Sequence, residues 1–264
     1  MSGSLPVADG EATVTVHADA HELAEAVAAR LAIRLVEAQA SRGEAALVLT
    51  GGGVAAAIYQ ALGRSPARDA VDWSRVDIWW GDERFLPAGD PDRNETQARE
   101  ALLDALPLRP ERVHPMPASD GPDGDDPEAA AARYAAELAG AARPGHASVP
   151  HFDVLLLGLG PDAHVASIFP EHPGAYETRP VSAVRGSPKP PPTRITLTFP
   201  TINSAEEVWL VAAGAAKAAA ARLALSGAGP VQVPAAGVRG VNRTLWLLDR
   251  AAAAEVPPRL RSVR

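Results

Sequence analysis

The residues able to do chemistry gather in a few short stretches. In "GLGPDAHVASIFP", Gly158 to Pro170, Asp162 stands two residues before His164. An imidazole has a reference pKa of about 6.5, so it can give or take a proton near neutral pH, and a carboxylate beside it can orient the ring. A structural histidine that hydrogen-bonds its own loop is the plain alternative. In "LTGGG", Leu49 to Gly53, three glycines follow an apolar run and precede a helix. Such a turn points bare N–H groups outward beside the positive end of the helix dipole, which suits a phosphate. It can equally be a tight strand-to-helix turn with no ligand. It is not a Walker loop, because no Gly-Lys-Ser/Thr follows.

Charges sit at other strand ends. "GDERFLP", Gly81 to Pro87, places Asp82, Glu83 and Arg84 where alternation sends neighbouring side chains in different directions, although such a turn can also be solvated surface. Lys217 falls near the start of a helix, in a chain that has two lysines and otherwise uses arginine. A cation in a first helical turn opposes the dipole, which fits a site with an anion to meet or a lysine that is simply solvated. Arg194, just before "ITLT", is a comparable candidate. Two cations and a glycine turn can enclose one phosphate. Asn94 in "DRNETQ" reads as the cap of a helix beginning near Glu95.

Other chemistries fit poorly. Gly158 and Gly160, with Ala163 in the third slot, imitate a dinucleotide-binding turn, but the acidic residue due about 20 positions later is missing. That region reads "VSAVRGSPK", and "IFPEHP" breaks the helix that should follow the glycines. A metal held by Asp162 and His164 needs a third ligand, and Glu171 and His172 lie on an irregular segment without ligand spacing. No G-x-S-x-G elbow exists for a serine hydrolase; Ser167 lies in a plain "VASI" context.

These residues need a scaffold. "TVTVH" reads as a first strand, after which Asp19 caps a helix whose Leu23, Val27, Leu31 and Leu35 form one apolar stripe. Further strands are expected at Ala45 to Thr50, Val76 to Trp80, Phe152 to Gly158, Glu207 to Gly214 and Thr244 to Asp249. Helices are expected at Val54 to Leu62, Glu95 to Leu106, Pro127 to Leu138 and Ala215 to Leu225. The alternation implies an α/β fold with a mainly parallel sheet, helices on both faces, and ligands beyond the carboxyl ends of the strands. "GSPKPPPTR" (Gly186 to Arg194) and "SDGPDGDDPE" (Ser119 to Glu128) read as surface loops.

Bulk properties set outer limits. At 264 residues, the chain is read as a flexible N-terminus over residues 1–10 and a single α/β domain over 11–264. A formal charge of -7 argues against nucleic acid as a partner. The absence of cysteine removes disulfides, thiolate nucleophiles and cysteine-held metals. No segment has the apolar length of a membrane span or a leader-like start, so a cytoplasmic protein with no membrane partner is expected. The oligomeric state is left open, and a monomer is compatible with the sequence.

Taken together, these stretches resemble the 6-phosphogluconolactonases, within the wider group that includes the glucosamine-6-phosphate deaminases. The resemblance runs through "LTGGG", "GDERFLP", "RNETQAREALL", "LLLGLGPDAHVASIFP", "RITLTFPTIN" and "VAAGAAKA". The fourth is the most specific, the family's form being G-x-G-x-D-G-H-x-A-S-L-F-P. The deaminases typically read D-E-Y where this chain has Asp82-Glu83-Arg84, and F-N-E-P where it has Ser167-Ile168-Phe169-Pro170; both differences favour the lactonase branch. Two departures stand out: Ala163 replaces the usual glycine, and "GGGVA" replaces G-G-S-T-P.

The resemblance implies a Rossmann-like three-layer fold of the glucosamine-6-phosphate deaminase type. It implies hydrolysis of 6-phospho-D-glucono-1,5-lactone, a small sugar-phosphate lactone of the oxidative pentose phosphate pathway, with no metal and no organic cofactor. His164 would be the general base, Asp162 its orienting partner, and Asp82 a holder of sugar hydroxyls. Gly51, Gly52 and Gly53 would cradle the phosphate through backbone N–H groups, with Arg84, Arg194 and Lys217 as candidate counter-charges. Ala163 leads to the expectation that its turn either does without positive φ or bears it with strain.

Overall fold

The computed structural model describes residues 12–142 and 148–262. The N-terminal segment 1–10 expected to be flexible lies outside them. In chain order the main elements are β1 (Ala12–His17), α1 (Ala20–Arg42), β2 (Ala45–Leu49), α2 (Gly53–Arg64), β3 (Val76–Trp80), β4 (Asp82–Arg84), α3 (Asn94–Ala101) and α4 (Pro127–Ala141). Next come β5 (Val154–Gly158), β6 (Val181–Val184), β7 (Arg194–Leu197), α5 (Phe199–Ile202), β8 (Glu207–Ala212), α6 (Ala218–Leu225), β9 (Arg243–Asp249) and β10 (Arg261–Ser262).

Helix α1 forms where its sequence dictates. The Asp19 carboxylate accepts from the N–H groups of His21 and Glu22 at 2.9 and 2.8 Å, and Gly43 ends the helix in the left-handed region at φ 80°. Between these stops, Leu23, Val27, Leu31 and Leu35 are fully buried, together with Ala24, Ala28, Ala32 and Ala38. The stripe packs on β1, β2 and β9 and on helix α2.

Seven strands form one sheet in the order β10-β1-β9-β8-β5-β2-β3, and every pair in it is parallel. All residues of β2 and β8 are buried, as strands covered on both faces must be. The chain runs from β2 outward to β3, then crosses back to place β5 on the other side of β2. In open α/β sheets a crevice opens at such a reversal, beyond the carboxyl ends of the strands. Here it lies between Gly51, after β2, and Gly158, at the end of β5.

Some boundaries differ from the expected ones. The helix expected from Glu95 to Leu106 stops at Ala101, because Leu102 takes φ -154° and ψ -54°, and a 3-10 turn at Leu103–Ala105 follows. The helix expected from Ala215 opens as a 3-10 turn, Ala215–Lys217, before α6. A second, antiparallel sheet of order β4-β7-β6 is an addition that the sequence reading did not contain. Its strands are only three or four residues long, too short to display a period-2 pattern.

Candidate active site

Four neighbouring strand ends of the main sheet supply the site. Asp82 and Arg84 follow β3, Gly51 to Gly53 follow β2, Asp162 and His164 follow β5, and Lys217 follows β8. They surround a cavity of about 200 Å³ whose wall includes Gly51, Asp82, Arg84, His164, Lys189 and Lys217. A second cavity of about 170 Å³ shares Thr50, Gly51, Gly52 and Lys217 with it and is otherwise apolar, lined by Val54, Ile58, Leu156 and Val211.

The loop after β5 is built around His164. Its Nδ1 lies 2.6 Å from Asp162 Oδ1. Burial of Asp162 favours the neutral acid, but hydrogen bonds and charge from His164 and Lys189 outweigh it and hold the carboxyl well below the ordinary carboxylate range. An ionised carboxylate only accepts, so Nδ1 donates to it, and in the neutral imidazole the lone pair then sits on Nε2. That is the tautomer a general base requires. The ring also rests near Phe169, with centroids 4.8 Å apart.

Gly160 belongs to this arrangement for a steric reason. A β-carbon there would overlap both His164 Nδ1 and Asp162 Oδ1, so the imidazole and carboxylate fold back over a residue that must lack a side chain. The loop closes through Ala163 N–H to Gly160 O and Gly160 N–H to His164 O, both 2.9 Å. Ala163 takes φ 67° and Ala166 φ 48°, so two alanines in the left-handed region bracket His164. Each such conformation costs an L-residue roughly 1–2 kcal/mol. Of the two expectations for Ala163, strain is the one realised.

Alternation along β4 separates its three charges. Asp82 faces the cavity with one oxygen accepting from Ser167 Oγ at 2.7 Å and the other 3.3 Å from Asn94 Nδ2. Glu83 turns inward, fully buried, and accepts from the N–H groups of Arg84, Asn94 and Glu95 at 2.8, 2.6 and 2.9 Å. Glu83, not Asn94, therefore caps α3. Asn94 is instead the first residue of that helix, its Nδ2 donating to Asp82 O at 2.8 Å while its buried Oδ1 points toward Gly51 without a protein partner. Burial pushes the Glu83 carboxyl up to about 7, against the opposing pull of Arg93 and the three N–H groups.

The cations occupy distinct settings. Arg84 and Arg194 are cross-strand partners in the β4–β7 pair. Arg84 Nη1 donates to Asp92 O at 2.5 Å. Arg194 donates from Nε to Pro191 O at 3.0 Å and from Nη2 to Lys189 O and Pro190 O at 3.2 and 3.0 Å. Much of its hydrogen bonding thus holds the proline-rich loop, and burial lowers its pKa from the ordinary arginine value. Burial, reinforced by the charge of Lys189, likewise lowers the Lys217 ammonium. Gly52 takes φ 97° at the start of α2, a conformation glycine reaches without strain.

All nine residues expected at the site lie in or beside these two cavities. Lys189 was missed, because "GSPKPPPTR" reads as a surface loop; its Nζ lies 3.1 Å from Asp162 Oδ1 and 3.1 Å from His164 Nδ1. The scarcity of lysine that singled out Lys217 applied equally to Lys189. The contacts of Ser167 and Asn94 with Asp82 had no local signal, since they join residues 85 and 12 positions apart. Among the described residues, no group of three or more His, Cys, Asp or Glu side chains could hold a metal ion.

Residues 18–246 match the family model described as glucosamine-6-phosphate isomerases/6-phosphogluconolactonase. The chain belongs to that family. It is 65% identical over 246 residues to a 6-phosphogluconolactonase of Streptomyces coelicolor, a match covering 92% of this chain and 94% of the relative. It is 48% identical over 246 residues to the protein of the same name from Mycobacterium tuberculosis, covering 93% and 98%. The solved 6-phosphogluconolactonase of Trypanosoma brucei superposes with a TM-score of 0.80 at 30% identity, covering 94% of this chain and all of that one. A monomeric glucosamine-6-phosphate deaminase superposes with a TM-score of 0.74 at 22% identity over 92% of this chain and 99% of that one, which establishes the shared fold of the two branches.

Proposed function

We propose that the cleft hydrolyses 6-phospho-D-glucono-1,5-lactone to 6-phosphogluconate, with His164 as general base. Membership of the family, on its lactonase side, supports the reaction. The observation that carries the mechanism is the 2.6 Å bond between His164 Nδ1 and Asp162 Oδ1 in a cavity rich in cations. It leaves Nε2 as the acceptor for a proton from water.

In this reading the N–H groups of Gly51 to Gly53 hold the phosphate, with Arg84, Lys217 and Arg194 supplying positive charge. Asp82, fixed by Ser167 and Asn94, receives sugar hydroxyls. Water loses a proton to Nε2 as its oxygen bonds to C1, and the carbonyl oxygen becomes an oxyanion. Collapse breaks the bond from C1 to the ring oxygen, which takes the proton back from the imidazolium. Asp162 keeps the ring aligned and balances its transient charge.

The reading describes a cytoplasmic enzyme with one catalytic domain over residues 11–264, acting on a small sugar phosphate and not on nucleic acid. Among the described residues no helix is long and apolar enough to cross a membrane. The test is lactone hydrolysis by the purified protein in the presence of a chelator, with the spontaneous reaction subtracted. Turnover well above background is expected. Ammonia release from glucosamine 6-phosphate without lactone hydrolysis would overturn the reading in favour of the deaminase branch.

A further inference from the structure

The oxyanion formed at C1 needs a hydrogen-bond donor, and the loop between β6 and β7 presents one. We propose that Lys189 is a catalytic residue that donates to this oxyanion and then holds the product carboxylate, while the rest of its loop serves to position it. The proposal rests on the lactonase reading above.

Three observations support the assignment. First, Lys189 Nζ reaches the catalytic end of the cavity, 3.1 Å from Asp162 Oδ1 and from His164 Nδ1. The two nitrogens both donate to the one carboxylate oxygen, so their close approach reflects a shared acceptor, not a bond between them. An ammonium has three donors. One is anchored on Asp162, and two remain for a ligand next to the imidazole.

Second, the loop is stapled into one shape. Ser187 N–H donates to Pro192 O at 2.9 Å, Ser187 Oγ donates to Lys189 O at 2.9 Å, and Lys189 N–H donates to Ser187 Oγ at 3.3 Å. Arg194 adds its bonds to the carbonyls of Lys189, Pro190 and Pro191. A solvated surface lysine needs no such frame. Preorganised donors aimed at developing charge are what an oxyanion site requires, because they need not reorganise during the reaction.

Third, the other cations are placed for a different task. Arg84 is paired with Arg194 across β4 and β7, and Lys217 lines both cavities together with Gly51 and Gly52. Lys189 alone among the described lysines and arginines contacts the Asp162–His164 pair.

The test compares two ligands that share the phosphate and differ at C1: 6-phosphogluconate, which carries a carboxylate, and glucose 6-phosphate, which does not. Their affinities are measured by calorimetry for the native protein, Lys189→Met and Lys189→Arg, alongside steady-state kinetics. Lys189→Met should lose 10²–10³-fold in kcat with little change in KM. It should also bind 6-phosphogluconate at least tenfold more weakly while keeping its affinity for glucose 6-phosphate. Lys189→Arg should recover part of both. Equal weakening toward the two ligands would make the residue structural or phosphate-binding and overturn the proposal, as would an unchanged kcat. Failure of the native protein to bind either sugar phosphate would instead bring down the reading of the cleft itself, and this assignment with it.

Discussion

Arg84 and Arg194 stand directly opposite each other in the antiparallel pair of β4 and β7, at the edge of the cavity. Like charges in that register destabilise a sheet, so the pair is most stable with an anion between or beside the guanidinium groups. Inorganic phosphate or sulfate should therefore raise the Tm, and Arg84→Met should blunt the rise. The same variant should raise KM for the lactone while leaving kcat within a few-fold. An unchanged KM and an unchanged anion response would remove Arg84 from the phosphate site.

His164→Ala should lower background-corrected lactone hydrolysis by about 10²–10⁴, the range for losing a general base. Affinity for 6-phosphogluconate should change much less, because the proposed phosphate and hydroxyl contacts are made by other residues. Turnover close to that of the native protein would refute the assignment.

Gly160→Ala separates geometry from chemistry. Gly160 does not need positive φ, so the substitution acts by placing a methyl group where His164 Nδ1 and Asp162 Oδ1 now sit. The imidazole and carboxylate must part. Activity should fall nearly as far as in His164→Ala, with an unchanged far-ultraviolet circular dichroism spectrum. Full activity would mean that the catalytic arrangement tolerates a different ring position.

Ala163→Gly should stabilise the protein. Relief of the left-handed conformation is worth roughly 1–2 kcal/mol, and the extra freedom of glycine in the unfolded chain takes back about 0.4–1 kcal/mol. Calorimetric unfolding should show a net gain of up to about 1.6 kcal/mol at unchanged kcat. A lower Tm would show that the Ala163 methyl group, which is buried, contributes more by packing than its backbone costs.

Glu83 makes stability depend on pH. Burial raises its folded-state pKa from the reference 4.5 to about 7, so its contribution is fully present below about 4.5 and is lost as pH rises through 7. In urea unfolding, the stability of the native protein relative to Glu83→Gln should fall across that window. A difference that stays flat from pH 4.5 to 8 would mean that Glu83 titrates elsewhere.

Much of the scaffold was readable because its signals are local. The leucine stripe of α1, its Asp19 cap and the apolar runs of β2, β5 and β8 each declare their structure within a dozen residues, and strand-end positions follow from parallel topology. The site was readable as far as residues at those strand ends went. What escaped depends on distant partners. Glu83 replaces Asn94 as the cap of α3 because β4 passes over that helix start, and Lys189 enters the cavity because Arg194 ties its loop down. The role of Gly160 escaped for another reason: the glycine spacing imitates a nucleotide turn, whereas the missing side chain makes room for the imidazole.

The placement of both lysines of the chain, Lys189 and Lys217, around one cavity has a practical side. Apart from the terminal amine, an acylating or reductive-alkylation reagent has no other nitrogen of this kind to modify. Label stoichiometry read by intact mass thus becomes a direct gauge of whether the cleft is occupied. By the same token, amine-coupled immobilisation through either lysine would tether the molecule at this cavity.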